Sequence, residues 1–168
     1  QALICRRMRG ELLAYSGETD QARELLESLV PRARDLGARQ AEIAVQNALG
    51  ELARRRQDWS EAVDRYTKAM ALDKRGDRSL DSPVALNLAL AHIGNADVGA
   101  ARPLLDRVID KAKSTGKWLF ASVAQLGQVA CAVIEQDADA ADQALDRAER
   151  RLEQAEVRSE DHRWTTEL

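Results

Sequence analysis

The sequence predicts an all-α protein: a right-handed α-solenoid of about four helix-turn-helix hairpins plus a partial fifth helix. Three observations predict it. The 168 residues include 29 Ala and 21 Leu but one Phe, two Tyr and three Pro. Ala and Leu favour helix, whereas sheets need β-branched and aromatic residues. Second, four segments align without gaps: ETDQARELLESL from Glu18, DWSEAVDRYTKA from Asp58, DVGAARPLLDRV from Asp97 and DADAADQALDRA from Asp137. Their alanines, Ala22, Ala62, Ala101 and Ala141, are 40, 39 and 40 residues apart. Third, another helical stretch precedes each of them. Hairpins that cannot bury their faces alone must stack in series.

Taken in order, residues 2–16, 40–56, 83–94 and 117–136 read as first helices, and 20–36, 59–73, 98–114 and 138–157 as second helices. The hairpins are therefore about 2–37, 40–74, 82–115 and 117–157, within one domain, 1–168. Each second helix opens on an acidic residue, which suits the free N–H groups and positive dipole end there. Its alanine lets a neighbouring helix approach closely. The residue four further on, Leu26, Tyr66, Leu105 or Leu145, fills the space between them, followed by Leu29, Ala69, Val108 or Ala148. Stop signals are Gly17, Gln57-Asp58, Gly94-Asn95 and Asp137. Ser82-Pro83 reads as a cap and first turn, and Pro31 should kink its helix near Val30. Pro103 leaves the start of its helix open. Residues 74–82, KRGDRSLDS, are the longest polar connection. Residues 160–168, EDHRWTTEL, resemble the start of the fourth hairpin, so 159–168 reads as a truncated extra helix.

Composition excludes several classes. The net charge of −3, mild in both halves, is no footprint for nucleic acid. The longest low-charge run, 118–134, is 17 residues with polar side chains inside it, short of a membrane span. Cys5 and Cys131 make no disulfide framework and read as small core residues. With no initiator Met and no signal peptide, the chain reads as a cytoplasmic piece of a longer protein.

The pattern resembles the tetratricopeptide repeat. The second hairpin carries the resemblance best, with Leu49, Gly50, Ala62, Tyr66 and Ala69. Gly10 and Ala22 match in the first hairpin, Leu88 and Ala101 in the third, and Ala141 in the fourth. The repeat here is longer than the family's, and Lys74 stands where the family ends a repeat on Pro. Such long repeats look like those in regulatory regions of large bacterial signalling proteins. The resemblance implies non-catalytic binding of a protein or peptide in a concave groove lined by first helices. Carried over, the groove positions are Arg7 and Glu11, then Asn47, Glu51 and Arg54, then Leu86, Leu90 and Ile93, then Leu126 with Ala130 and Val133. The groove so drawn runs from charged to apolar. The stripe Leu86, Leu90 and Ile93 faces away from Ala85, Leu88 and His92. A helix apolar all round needs cover on both sides. That cover is a partner, the solenoid's own sharp curvature, the next hairpin, or a second copy of the chain.

No motif for chemistry stands out. His92 reads as a core histidine, and His162 lies in the tail. Ligand pairs at metal spacing, a calcium loop and a phosphate-cradling glycine loop are all missing. Asp137, Asp139 and Asp142 read as helix N-terminal charge, and Arg54, Arg55 and Arg56 as helix C-terminal charge. The sequence thus predicts no catalytic residue, no metal and no cofactor. Two other readings stay open. One is a homo-oligomerisation segment, with a homodimer its simplest form. The other is a helical-repeat regulator with phosphatase-like activity, for which Glu11, Asn47 and Glu51 are the only candidates.

Overall fold

A computed structural model describes residues 1–73 and 83–165, with side chains as far as 150 and at 153. The connection 74–82, Lys74 and Ser82 within it, and the side chains of His162 and Trp164 lie outside the described residues. The chain divides into two compact units, 1–95 and 96–168. The described residues form helices and no strand.

The first unit holds α1 (Ala2–Tyr15), α2 (Thr19–Asp35), α3 (Arg39–Arg55), α4 (Trp59–Leu72) and α5 (Pro83–Gly94). Each packs on the next, and α3 also touches both α1 and α5. This is the packing of an α-solenoid built from helical hairpins. The second unit holds α6 (Val98–Ser114), α7 (Trp118–Ile134) and α8 (Ala138–Thr165), again each packed on the next. The starts of α6, α7 and α8 lie 79 residues beyond those of α2, α3 and α4, so each residue of α2, α3 and α4 has a counterpart in the second unit.

Acidic caps hold at three of four helix starts. The carboxylates of Asp58, Asp97 and Asp137 accept from the N–H of Glu61, Ala100 and Ala140 at 3.1, 3.1 and 2.9 Å. Glu18 makes no such bond, and its longer side chain instead accepts from the Ser16 hydroxyl at 3.3 Å. Helices α1, α2, α3, α5, α6 and α7 are followed by a left-handed residue, and in α3 and α7 the next N–H returns to a carbonyl five residues back, Asp58 to Ala53 and Asp137 to Ala132. Three of these residues are not glycine: Gln57, Ala96 and Gln136, with φ of 61°, 56° and 60°. Each holds roughly 1 kcal/mol of strain. Helix α5 ends at Gly94, as the Gly94-Asn95 stop predicts, and the left-handed residue of that turn is Ala96. Gly94 serves another purpose, since a Cβ there would lie 2.4 Å from the Trp59 ring. Pro31 sits inside α2, which continues as helix to Asp35, and Pro103 sits inside α6.

Packing follows the repeat in α2, α4 and α6. Ala22, Ala62, Ala101, Tyr66 and Leu105 are all fully buried, and Leu26 is 1% exposed. Leu26, Leu29, Val45, Ala48 and Leu49 form one core cluster of the first unit. Gly10 and Gly50 are what admit the large residues. A Cβ on them would meet Leu26 at 2.8 Å and Tyr66 at 2.6 Å.

Two expectations need correction in the second unit. Leu145 does not fill the space between helices; it is 40% exposed. Val129 stands where Gly50 makes room for Tyr66, so α8 turns its alanines inward instead, with Ala144 and Ala148 buried. No separate helix begins at 159 either. Helix α8 runs unbroken to Thr165, and residues 138–165 contain neither Gly nor Pro to stop it. Residues 166–168 lie outside the described ones. Cys131 is buried as expected, but Cys5 is exposed on α1.

Candidate functional site

The first unit carries a cleft of about 250 Å³ between α1 and α3. Glu11, Ala14 and Tyr15 of α1 form one wall. Asn47, Glu51 and Arg55 of α3 form the other, and Leu26 of α2 lies beneath. The repeat explains the placement, since Glu11 and Tyr15 sit one helical turn apart, as do Asn47 and Glu51.

Glu51 is the electrostatic centre. Its carboxylate accepts from Arg54 Nε and Nη2 at 2.9 and 2.7 Å, from Arg55 Nε at 3.3 Å and from Tyr66 Oη at 3.3 Å. Burial pushes its pKa up, but the Arg54 and Arg55 guanidinium groups outweigh burial and hold it below the ordinary carboxylate range. Burial, the Glu51 charge and its own hydrogen bond drive the Tyr66 hydroxyl far above its usual value, so it stays a donor. The Arg55 guanidinium lies over the exposed Tyr15 ring, 4.0 Å from its centre. Arg7 is paired with Glu11 one turn away. Asn47 Oδ1 accepts from Asn87 Nδ2 of α5 at 3.2 Å.

Of the charged set expected from sequence, Glu11, Asn47 and Glu51 meet in the cleft, while Arg7 and Arg54 are their ion-pair partners. Tyr15, Arg55 and Asn87 were not foreseen. An aromatic at the end of α1 facing an arginine at the end of α3 is the signal that could have found the first two. The apolar set behaves otherwise. Leu86 is buried, and Leu90 and Ile93 are only partly exposed, so α5 offers no open stripe of three large side chains. Val84, Ala85, Leu88, Ala89 and Ala91 are buried too. In the second unit Leu126 is exposed on α7, in one stripe with Leu119 and Val133, seven residues to either side. Ala130 is partly exposed.

The second unit has a cavity of its own, about 320 Å³, lined from α6, α7 and α8. Arg102, Lys113 and Arg147 bring positive charge to it, and Asp106 and Asp110 negative charge. Gln128 bridges part of the wall: its Oε1 accepts from Arg102 Nη1 at 3.2 Å and its Nε2 donates to Asp106 Oδ1 at 2.7 Å. Arg102 also pairs with Glu135. Burial pushes the nearby Cys131 thiol up, away from a reactive thiolate. Among the described residues, no His, Cys, Asp and Glu side chains cluster in a way that could hold a metal ion. Nor is any helix there long and apolar enough to cross a membrane.

Residues 3–75 match the family model of the tetratricopeptide repeat. No curated protein matches the chain.

Proposed function

We propose that this chain is a non-catalytic protein-binding module, because residues 3–75 match the model of the tetratricopeptide repeat family, whose members bind protein partners. We place it in the regulatory part of a larger signalling protein of bacterial type, acting in the cytoplasm. Its hairpins act together as one scaffold, with no cofactor, nucleic acid or membrane involved. The α1–α3 cleft carries the reading. It is concave and built from backbone-rigid helices, and it combines an exposed aromatic, an amide and paired charges. These are the side chains that hold an extended peptide by its backbone and side-chain hydrogen bonds. Glu51 is locked by two arginines and a tyrosine, which suits it to shape the cleft rather than to transfer protons.

Peptides selected from a displayed random library against the whole chain test the reading. Their affinities are then measured on the wild type and on Tyr15→Ala and Asn47→Ala variants. Loss of roughly tenfold or more in the variants is the expected result. If no peptide saturates the protein, or if both variants bind as tightly as the wild type, the cleft is not the docking site.

A second reading, self-association, has its own observation. Ile4, Met8 and Leu12 are exposed at successive turns of one face of α1, as Leu119, Leu126 and Val133 are on α7. Light scattering across a concentration series separates the two. A mass that doubles with concentration, and that Leu126→Asp or Met8→Asp returns to that of one chain, places self-association first.

A further inference from the structure

In the first unit, the space between α2 and α4 is filled by charge. Arg23 holds the Glu61 carboxylate with two parallel bonds, Nη1 to Oε1 at 2.8 Å and Nη2 to Oε2 at 2.7 Å. Arg65 joins Glu61 at 3.2 Å and Glu27 at 2.9 Å. On the same flank Arg34 donates to the buried Glu42 at 2.9 Å.

The 79-residue correspondence gives each of these groups a counterpart. Arg102 stands for Arg23, Lys113 for Arg34 and Arg147 for Lys68, so these three cations persist, and Asp106 keeps the carboxylate of Glu27. The Glu61 and Glu42 carboxylates and the Arg65 cation do not persist. Ala140 stands for Glu61, Ala144 for Arg65 and Ala121 for Glu42. The cavity of about 320 Å³ opens there, with Ala140 and Ala144 in its wall. Other carboxylates, Asp110 and Glu135, stand nearby at positions that carry none in the first unit. Arg102 turns aside to Gln128 and to Glu135, and Lys113 reaches Asp110 only at 3.6 Å. Among the described residues no ion pair engages Arg147. Gln125, 4% exposed, lines the same cavity and is engaged by no hydrogen bond among the described residues.

The place that the Glu61 carboxylate fills in the first unit is thus open in the second, and in its wall stand Arg147, which no ion pair engages among the described residues, and the Gln125 amide. We propose that the cavity bounded by Arg102, Gln125, Ala140, Ala144 and Arg147 binds a carboxylate, which takes the place that Glu61 occupies in the first unit. Arg102 and Arg147 supply its charge-assisted bonds, and the Gln125 amide supplies a neutral donor. The volume is at the small end for a ligand site, which restricts the occupant to a small molecule or a single side chain. Two sources carry this chemistry: a free short-chain dicarboxylate, or a glutamate of a bound protein. The site is separate from the α1–α3 cleft and does not depend on it.

The whole chain, labelled with 15N, is titrated with glutarate and with a blocked Ala-Glu-Glu-Ala peptide. Glutaramide and the matching Gln peptide serve as neutral controls. The expected result is saturable shifts of the Gln125 side-chain amide and of the Ala140 and Ala144 backbone amides with a carboxylate and not with its neutral control. Response to glutarate assigns a free ligand. Response to the peptide alone assigns a partner's side chain. Ala140→Glu, which supplies the missing carboxylate from within, is expected to abolish the shifts. Arg102→Gln keeps hydrogen bonding to its neighbours but removes the charge, and is expected to weaken binding by roughly tenfold or more. Absence of saturable shifts with both carboxylates overturns the proposal. So do equal shifts with the neutral controls, or undiminished binding by Arg102→Gln.

Discussion

Helices α2, α3 and α4 and helices α6, α7 and α8 share one register and have opposite contents. The first set packs an aromatic ring against a glycine and laces its outer helices with ion pairs. The second replaces the ring by an exposed leucine, the glycine by valine, and Glu61, Arg65 and Glu42 by alanines. The difference teaches that a repeat preserves the helix, its cap and its small residues. What lies between helices is free to vary, and the variation either closes the unit on itself or leaves a cavity.

The largest test of this contrast is a pair of truncations. Tyr66→Ala removes a fully buried ring and is expected to cost about 3–5 kcal/mol. Leu145→Ala, its counterpart, is expected to cost less than about 0.5 kcal/mol. Urea unfolding followed by circular dichroism checks both. Comparable losses would mean that Leu145 is packed and the contrast is wrong.

Next comes the glycine itself. Gly50→Ala places a Cβ 2.6 Å from the Tyr66 ring and is expected to destabilise by about 1–3 kcal/mol, despite alanine's better helix propensity. In the double variant with Tyr66→Ala, the two effects should fail to add, because the clash has gone. Full additivity in the same denaturation experiment would break the link between the two residues.

The ion-pair lattice gives a smaller effect with a pH signature. Its hydrogen bond from Arg23 lowers the Glu61 pKa more than burial raises it. A depressed carboxylate contributes stability that is complete above its ordinary range and is lost as pH falls through its folded value. Glu61→Gln is therefore expected to cost about 1 kcal/mol near neutrality and progressively less on acidification. Stability curves of wild type and variant should converge at acid pH; a gap that stays constant would remove Glu61 from the account.

The smallest effect is the reciprocal one. Ala140→Glu gives the second unit the carboxylate it lacks, and is expected to gain about 0.5 kcal/mol in thermal or urea unfolding. A loss of stability would show that Arg102 cannot reach a carboxylate from that position.

Much of the architecture was legible in the chain. Ala22, Ala62 and Ala101 repeat at helical register, and each proved fully buried. The cap aspartates were legible because capping is a local interaction, settled within one turn. The cleft was half legible: the positions of Glu11, Asn47 and Glu51 follow from periodicity. Arg55 over Tyr15, and Asn87 against Asn47, depend on how three helices meet and could not be read from any one of them. The exposure of Leu145 was misread because its repeat position matches Tyr66, while its surroundings are set by Val129 on another helix.

By itself the sequence determined the helical hairpins, their order, the aspartate caps and the face that α2, α4 and α6 would bury, because these rest on spacings of three and four residues and on local backbone chemistry. The tertiary structure alone decided which large side chains found room, which arginine met which carboxylate, and where a cavity remained. Those outcomes turn on the volume and charge that a distant helix brings to the same place, and no periodicity within a single helix records them.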